Sequence, residues 1–172
     1  MALSLNSVNR RHLLLGLATS MVAILKPSMA SAASPAGETA WDLSESQWRQ
    51  RLSPEAFNVL RKEGTERAFT SSLLEEKRDG TFVCKGCKLP LFSSATKYES
   101  GTGWPSFWEP LPNSIGTKLD FRLLLPRTEY HCRRCGGHQG HVFNDGPQPT
   151  GKRYCNNGVA LGFIPAEAAP VN

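Results

Sequence analysis

Two regimes of apolar spacing meet at Gly64. Before it, LSESQWRQRL sets Ser44 three residues ahead of Gln47, the pattern of a capping box at a helix start. SPEAFNVLRKEG then predicts a second short helix, with Ser53 as N-cap, Pro54 as its first residue and Gly64 as its stop signal. Phe57 and Leu60, three apart, face the core. Beyond Gly64, short apolar or aromatic runs are punctuated by Gly, Pro, Asn and Asp: TFVC, LPLF, LDFRLLLP, TEYHC, GHVF and RYCNNGVALGFIP. These are strand-sized pieces with turn signals between them. No long amphipathic helix, internal repeat or βαβ alternation interrupts them. The pattern predicts a mainly β fold, antiparallel sheets rolled around one core with short N-terminal helices.

The first thirty residues follow neither regime. Arg10 and Arg11 precede thirteen residues without charge, Leu13 to Leu25, and Ala30-Ser31-Ala32 forms an A-x-A-like cleavage signal. The apolar run is too short for the roughly 20 residues that cross a bilayer, so it reads as a cleaved signal peptide and not a stable anchor. Adjacent arginines before His12-Leu13-Leu14 resemble the twin-arginine export signal. That route implies the twin-arginine machinery as a partner and a periplasmic destination, or a thylakoid lumen in a photosynthetic host. The expected organisation is a signal over 1–32 with cleavage near Ala30–Ala33, a linker over 33–40, one domain over 41–165 and a tail over 166–172.

Composition then narrows the function classes. Of 172 residues, 40% are hydrophobic and 20% charged, which is ordinary for a globular protein. The formal charge of +5 falls to +2 once Arg10, Arg11 and Lys26 are removed with the signal, leaving 17 basic against 15 acidic residues. Without a long Lys/Arg run, nucleic acid is not an expected partner.

Four of the five cysteines form two C-x-x-C pairs, CKGC (Cys84, Cys87) and CRRC (Cys132, Cys135). Two intervening residues let both sulfurs of a turn reach one tetrahedral ion, so the pairs predict a single structural zinc. With 44 residues between the pairs, the ion would clip distant parts of the chain together. Four protein ligands close the site, which excludes this ion as the catalyst.

Cys155 in TGKRYCNNG is left free. In a strand, Arg153, Cys155 and Asn157 share one face, and a guanidinium there is expected to favour the thiolate. HQGH adds His138 and His141, able to donate protons or orient a substrate oxygen; His131 reads as a surface or supporting residue beside Cys132. GTGWPSFW concentrates Trp104, Phe107 and Trp108, either as core packing or as an aromatic pocket for a methyl or thioether.

Taken in order, GTERAF, CKGC, GTGWPSF, CRRCGGHQGHVFNDGP and TGKRYCNNGVALGFIP resemble the motifs of type B methionine sulfoxide reductases, over about Trp41 to Pro165. The resemblance implies thiol-dependent reduction of the R epimer of methionine sulfoxide, free or in oxidised proteins and peptides. It implies Cys155 as nucleophile, with His138, His141, Arg153 and Asn157 binding or polarising the site. Trp104, with Phe143, would bind the substrate methyl group. It places zinc on Cys84, Cys87, Cys132 and Cys135. Gln139 stands where a leucine is usual, and CNNG departs from the usual residues after the cysteine. Thr102 occupies the position where many members carry a resolving cysteine.

With no further free cysteine, the sulfenic acid expected at Cys155 needs an external reductant, a thioredoxin-like protein or small thiol. Repair of exported proteins, by a monomer, is the expected setting. A cysteine hydrolase built on Cys155, a histidine and Asn157 lacks a peptidase motif. The remaining rival is a non-catalytic zinc-ribbon-like binding module.

Overall fold

A computed structural model of the protein describes residues 39–166, Leu124 excepted. The signal peptide expected over 1–32, most of the linker and nearly all of the tail lie outside the described residues.

The N-terminal part forms as its caps dictate. Helix α1 (Glu45–Arg51) starts at Ser44 with a complete capping box: the Ser44 side chain accepts from the Gln47 N–H, and the Gln47 side chain accepts from the Ser44 N–H. Helix α2 (Pro54–Lys62) starts at Ser53 with Pro54 in its first turn and buries Ala56, Phe57, Val59 and Leu60. Its stop differs from expectation. The left-handed residue is Glu63, at φ 55°, not Gly64. Lys118 and Arg122 both pair with the Glu63 carboxylate and hold this non-glycine residue in place. Gly64 instead gives room to a neighbour: a Cβ there would displace the Asn58 side-chain amide.

Beyond the helices come β1 (Gly80–Cys84), β2 (Pro90–Ser93), β3 (Lys97–Tyr98), β4 (Ser106–Phe107), β5 (Ile115–Asp120), β6 (Arg127–Cys132), β7 (His138–Phe143), β8 (Arg153–Asn156) and β9 (Leu161–Pro165). They make a three-stranded sheet, β2-β1-β9, and a six-stranded sheet, β3-β4-β8-β7-β6-β5, with antiparallel pairs throughout. The mainly β expectation holds. The core lies between the sheets, where Phe92 stacks on Phe107 at 4.2 Å between centroids and Phe82 meets Phe107 edge-on at 4.9 Å.

One expected strand piece, LDFRLLLP, is corrected. The β5 ladder ends at Asp120, which pairs with Arg127 of β6, and Phe121, Leu123 and Leu125 sit exposed in the turn beyond. Apolar character alone therefore misled; those side chains find no core to enter.

Register fixes what each face of the large sheet carries. Val142, Tyr154 and Phe107 are cross-strand partners and pack toward the core; Glu129, His141, Cys155 and Ser106 are cross-strand partners on the opposite face.

Candidate active site

The two C-x-x-C turns meet although 44 residues separate them. The four sulfurs of Cys84, Cys87, Cys132 and Cys135 lie within 4.8 Å of one another, all four residues being buried. Cys84 and Cys135 are 3.7 Å apart and Cys87 and Cys132 3.4 Å apart. A tetrahedral zinc about 2.3 Å from each sulfur requires separations of about 3.8 Å, so the donor set fits one ion. The helices close over this cluster. Trp48 lies where a Cβ on Gly86 would touch it, Leu60 fills the space beside Gly137, and Arg61 donates to the Cys135 carbonyl at 2.9 Å.

The sheet leads from this cluster to Cys155. In β7 the pairing steps from Tyr130↔Gly140 to His131↔His138, which leaves Gln139 as the extra residue of a β-bulge. The bulge has two effects. Two histidines three apart would ordinarily face opposite ways, but His138 and His141 stand together, 5.5 Å between ring centroids. Gln139 instead turns inward, wholly buried, with its amide on Cys84. Gly140 then lets β8 come close: a Cβ at this position would collide with the Cys155 carbonyl.

Cys155 is the register partner of His141 on one side and Ser106 on the other. It borders a cavity of about 120 Å³ that is also lined by Trp104, Arg127, His141, Phe143 and Asn157. Of the aromatic trio in GTGWPSFW, only Trp104 reaches this cavity. Phe107 is core, and Trp108 lines a separate surface hollow with Tyr154.

Each remaining side chain has a defined hold. His141 Nε2 lies 2.7 Å from Asp120 Oδ2, and Arg127 donates to the same oxygen at 2.6 Å. His138 sits behind, buried, 2.7 Å from Glu129, whose other oxygen meets His131 at 3.1 Å. His138 therefore supports the wall of the site, and His131 pairs with Glu129. Arg153 makes a bidentate pair with Asp145, both contacts at 2.8 Å, and lies over the Phe143 ring at 4.3 Å. Asn157 borders the cavity, but its polar atoms are engaged: its amide donates to the Gln139 carbonyl at 2.9 Å and its oxygen accepts from the Glu66 N–H at 3.0 Å. It clamps the turn after Cys155.

The electrostatics correct one expectation. Burial raises the Cys155 thiol above the ordinary cysteine value, outweighing the Arg153 charge and the hydrogen bonds of Thr102 and Arg153, which act the other way. The resting group is the thiol. Burial likewise lowers His141 below the ordinary histidine value, against the upward pull of Asp120. Asp120 is held well below the carboxylate range, chiefly by the Arg122 backbone N–H and then by His141. Burial opposes ionisation of Glu129, but hydrogen bonds from His131 and His138 prevail and hold it at about 2.

Several functional residues were missed in the sequence. Asp120 and Glu129 lay inside runs read only as strands, and Arg127 lay between two such runs. Glu66 lay in GTERAF and Asp145 in NDGP, motifs noted without a role for these acids. Glu66 proves central. Its carboxylate accepts from the N–H groups of Gly158 at 2.6 Å and Val159 at 2.9 Å, and its carbonyl accepts the Trp104 indole N–H at 3.2 Å.

Comparison with known proteins gives a consistent result. Residues 52–165 match the SelR domain. The chain is 51% identical over 121 residues to "Peptide methionine sulfoxide reductase MsrB" of Leptospira interrogans, covering 70% of this chain and 92% of that one. It is 49% identical over 127 residues to the protein of the same name from Methanosarcina barkeri, covering 73% and 89%. It is 52% identical over 120 residues to "Peptide methionine sulfoxide reductase B1, chloroplastic" of Arabidopsis thaliana, covering 69% of this chain and 59% of that relative's length.

Proposed function

The chain belongs to the SelR-domain family of type B peptide methionine sulfoxide reductases, and from that premise we propose that it reduces the R epimer of methionine sulfoxide through Cys155. The observation that carries this reading is a half-buried thiol set directly across the strand pair from a carboxylate-held histidine, beside a small aromatic cavity.

The proton path follows from that pairing. With Nε2–H donated to Asp120, the Nδ1 of neutral His141 is the lone-pair nitrogen. It takes the Cys155 proton as the sulfur attacks the sulfoxide sulfur, and Asp120 stabilises the imidazolium, as in other nucleophile–histidine–carboxylate sets. The imidazolium then passes the proton to the sulfoxide oxygen. Methionine leaves with both electrons of the new lone pair, and Cys155 retains the oxygen as sulfenic acid. One external thiol displaces it as water and forms a mixed disulfide; a second releases Cys155 and leaves as the oxidised partner. Trp104 and Phe143 would bind the methyl end, and Arg153 would stabilise developing thiolate. Zinc on the four cysteines would contribute fold stability only, since its coordination is closed.

Export completes the reading. The paired arginines, uncharged run and small-residue cleavage signal support a twin-arginine route, with repair of oxidised proteins in the periplasm or an equivalent compartment. Among the described residues, no helix is long and apolar enough to cross a membrane.

The test is turnover of separated R and S sulfoxide peptides with dithiothreitol, by the protein and its Cys155→Ser variant. Reduction of R alone, lost by about a thousandfold or more in the variant, is expected. A folded, zinc-loaded protein that turns over neither epimer would leave the non-catalytic binding module as the better reading.

A further inference from the structure

We propose that the surface around the Cys155 cavity is a track for an extended polypeptide, gripped by apolar side chains on both flanks. Phe69 is the grip beside Trp104; Phe121, Leu123 and Leu125 are the grip beside Arg127. The inference rests on the reductase reading and adds a specificity determinant to it: apolar residues a few positions from the sulfoxide, met by these four side chains.

These four side chains are 71%, 68%, 57% and 75% exposed. Isolated exposed apolar residues are normal, but three within five positions of one turn, with a fourth packed on the Gly103–Trp104 loop, form a pattern that solubility disfavours. Both groups are continuous with the cavity wall. The Phe69 N–H donates to the Gly103 carbonyl at 2.8 Å, immediately before Trp104, and its ring lies 2.8 Å from where a Gly103 Cβ would stand. The other group begins one residue after Asp120, the partner of His141, and ends two residues before Arg127, which lines the cavity.

The cavity itself, about 120 Å³, is far below the roughly 300 Å³ at which pockets begin to enclose drug-sized ligands. It takes a side chain and leaves the rest of a substrate outside. Strand order then sets the span. From β8, which carries Cys155, β4 is one step away and the β5–β6 turn two to three steps. At about 4.8 Å per step and about 3.3 Å per extended residue, Phe69 meets a residue one or two positions from the sulfoxide, and the turn one about three or four positions away.

Charge argues against a lipid surface as the occupant. An apolar loop that enters an anionic membrane relies on free cations around it. Around the turn that carries Phe121, Leu123 and Leu125, Lys118 and Arg122 are engaged by Glu63, and Arg127 by Asp120; the exposed cation near Phe69 is the single Arg67.

The experiment uses Phe121→Ser/Leu125→Ser and Phe69→Ser, alone and in a Cys155→Ser background that cannot turn over. Binding of fluorescent sulfoxide peptides with leucine or serine three residues from the sulfoxide is read by anisotropy. The unsubstituted surface should prefer the leucine peptide by about tenfold, and the double variant should lose that preference, as expected for burying one or two leucine-sized contacts. In the active background kcat/KM for the leucine peptide should fall through KM, while N-acetyl-methionine sulfoxide is reduced within about twofold of normal. That small substrate also isolates the two readings: failure of the parent protein to reduce it sinks the reductase, whereas intact reduction with unchanged peptide affinity in both variants sinks the track. If the variants instead lose binding to phosphatidylglycerol vesicles, or convert a dimer to a monomer, with peptide affinity unchanged, the apolar flanks serve a membrane or a second copy and the inference is overturned.

Discussion

The side-chain amide of Gln139 donates to the sulfur of Cys84 at 3.5 Å, and the carbonyl of the same residue accepts both the backbone and the side-chain N–H of Asn157, at 2.8 and 2.9 Å. The bulge residue thus joins the cysteine cluster to the turn that follows Cys155. The usual leucine at this position could make the second link, which is backbone-carried, but not the first. An N–H aimed at a ligating thiolate disperses its charge, and supporting bonds of this kind are worth about 10–100-fold in metal affinity. Gln139→Leu should therefore release zinc to a chelator about tenfold faster, measured with a colorimetric zinc indicator. Melting temperature should hold or rise, because the buried Gln139 oxygen lacks a partner and its removal relieves that cost. Equal release rates would show that the contact does not tune the cluster.

Glu66 fixes both sides of the cavity at once. Its carboxylate holds the Gly158 and Val159 N–H groups while its backbone holds Trp104 and Asn157. Glu66→Ala removes only the carboxylate and strands two backbone donors at about 1–3 kcal/mol each. The turn after Cys155 should relax, lowering kcat/KM by about ten- to a hundredfold through misplacement of the nucleophile. Glu66→Gln retains an acceptor and should recover most of the loss. An alanine variant with parental kinetics and melting temperature would reduce Glu66 to a surface acid.

Much of this was legible in the chain because it was local. The capping box at Ser44, the N-cap at Ser53 and the C-x-x-C turns depend on neighbours a few residues away, and all formed as their patterns dictate. Cys155, His141 and Trp104 were visible as chemistry and converge on one cavity. What sequence could not reveal required register. The bulge at Gln139 that turns His138 beside His141 comes from pairing with β6, and Asp120 becomes the partner of His141 only through two strand crossings. The charge state of Cys155 was misjudged for a related reason: Arg153 is visible in sequence, but the burial that outweighs it is a property of the fold.

The Asp120–His141 pair has a testable pH signature. Burial holds His141 below the ordinary histidine value, so it is neutral at neutral pH and is lost as a base only when pH falls through that lowered value. The acid limb of kcat/KM should therefore lie below the ordinary histidine range. The Asp120 hydrogen bond raises His141, so Asp120→Asn should move the limb to still lower pH. It should also reduce the plateau by about a hundredfold, since the imidazolium loses its counter-charge. A limb that moves upward, or does not move, would assign the proton to another group.

Under the proposed mechanism, recycling of Cys155 turns on Thr102. Its hydroxyl favours the Cys155 thiolate, against burial, and is itself bonded to Ser100 at 2.8 Å, with Ser100 bonded in turn to Ser106 at 2.8 Å. A resolving cysteine would stand in reach at this position, but a hydroxyl cannot condense with a sulfenic acid to form a disulfide. The other four cysteines are drawn into the buried cluster. After a single turnover without reductant, Cys155 should accumulate as sulfenic acid, trapped by dimedone at about one label per chain. Non-reducing peptide maps should show no disulfide to Cys155. Thr102→Cys supplies the missing thiol: the introduced sulfur attacks the Cys155 sulfenic acid, water leaves, and an intramolecular disulfide to Cys155 replaces dimedone labelling. The rate of the first turnover should stay within a few-fold of the parent, because the attack on substrate precedes resolution. A disulfide from Cys155 to any of the four clustered cysteines in the unsubstituted protein would overturn this account and make the cluster a redox partner in place of a structural clip.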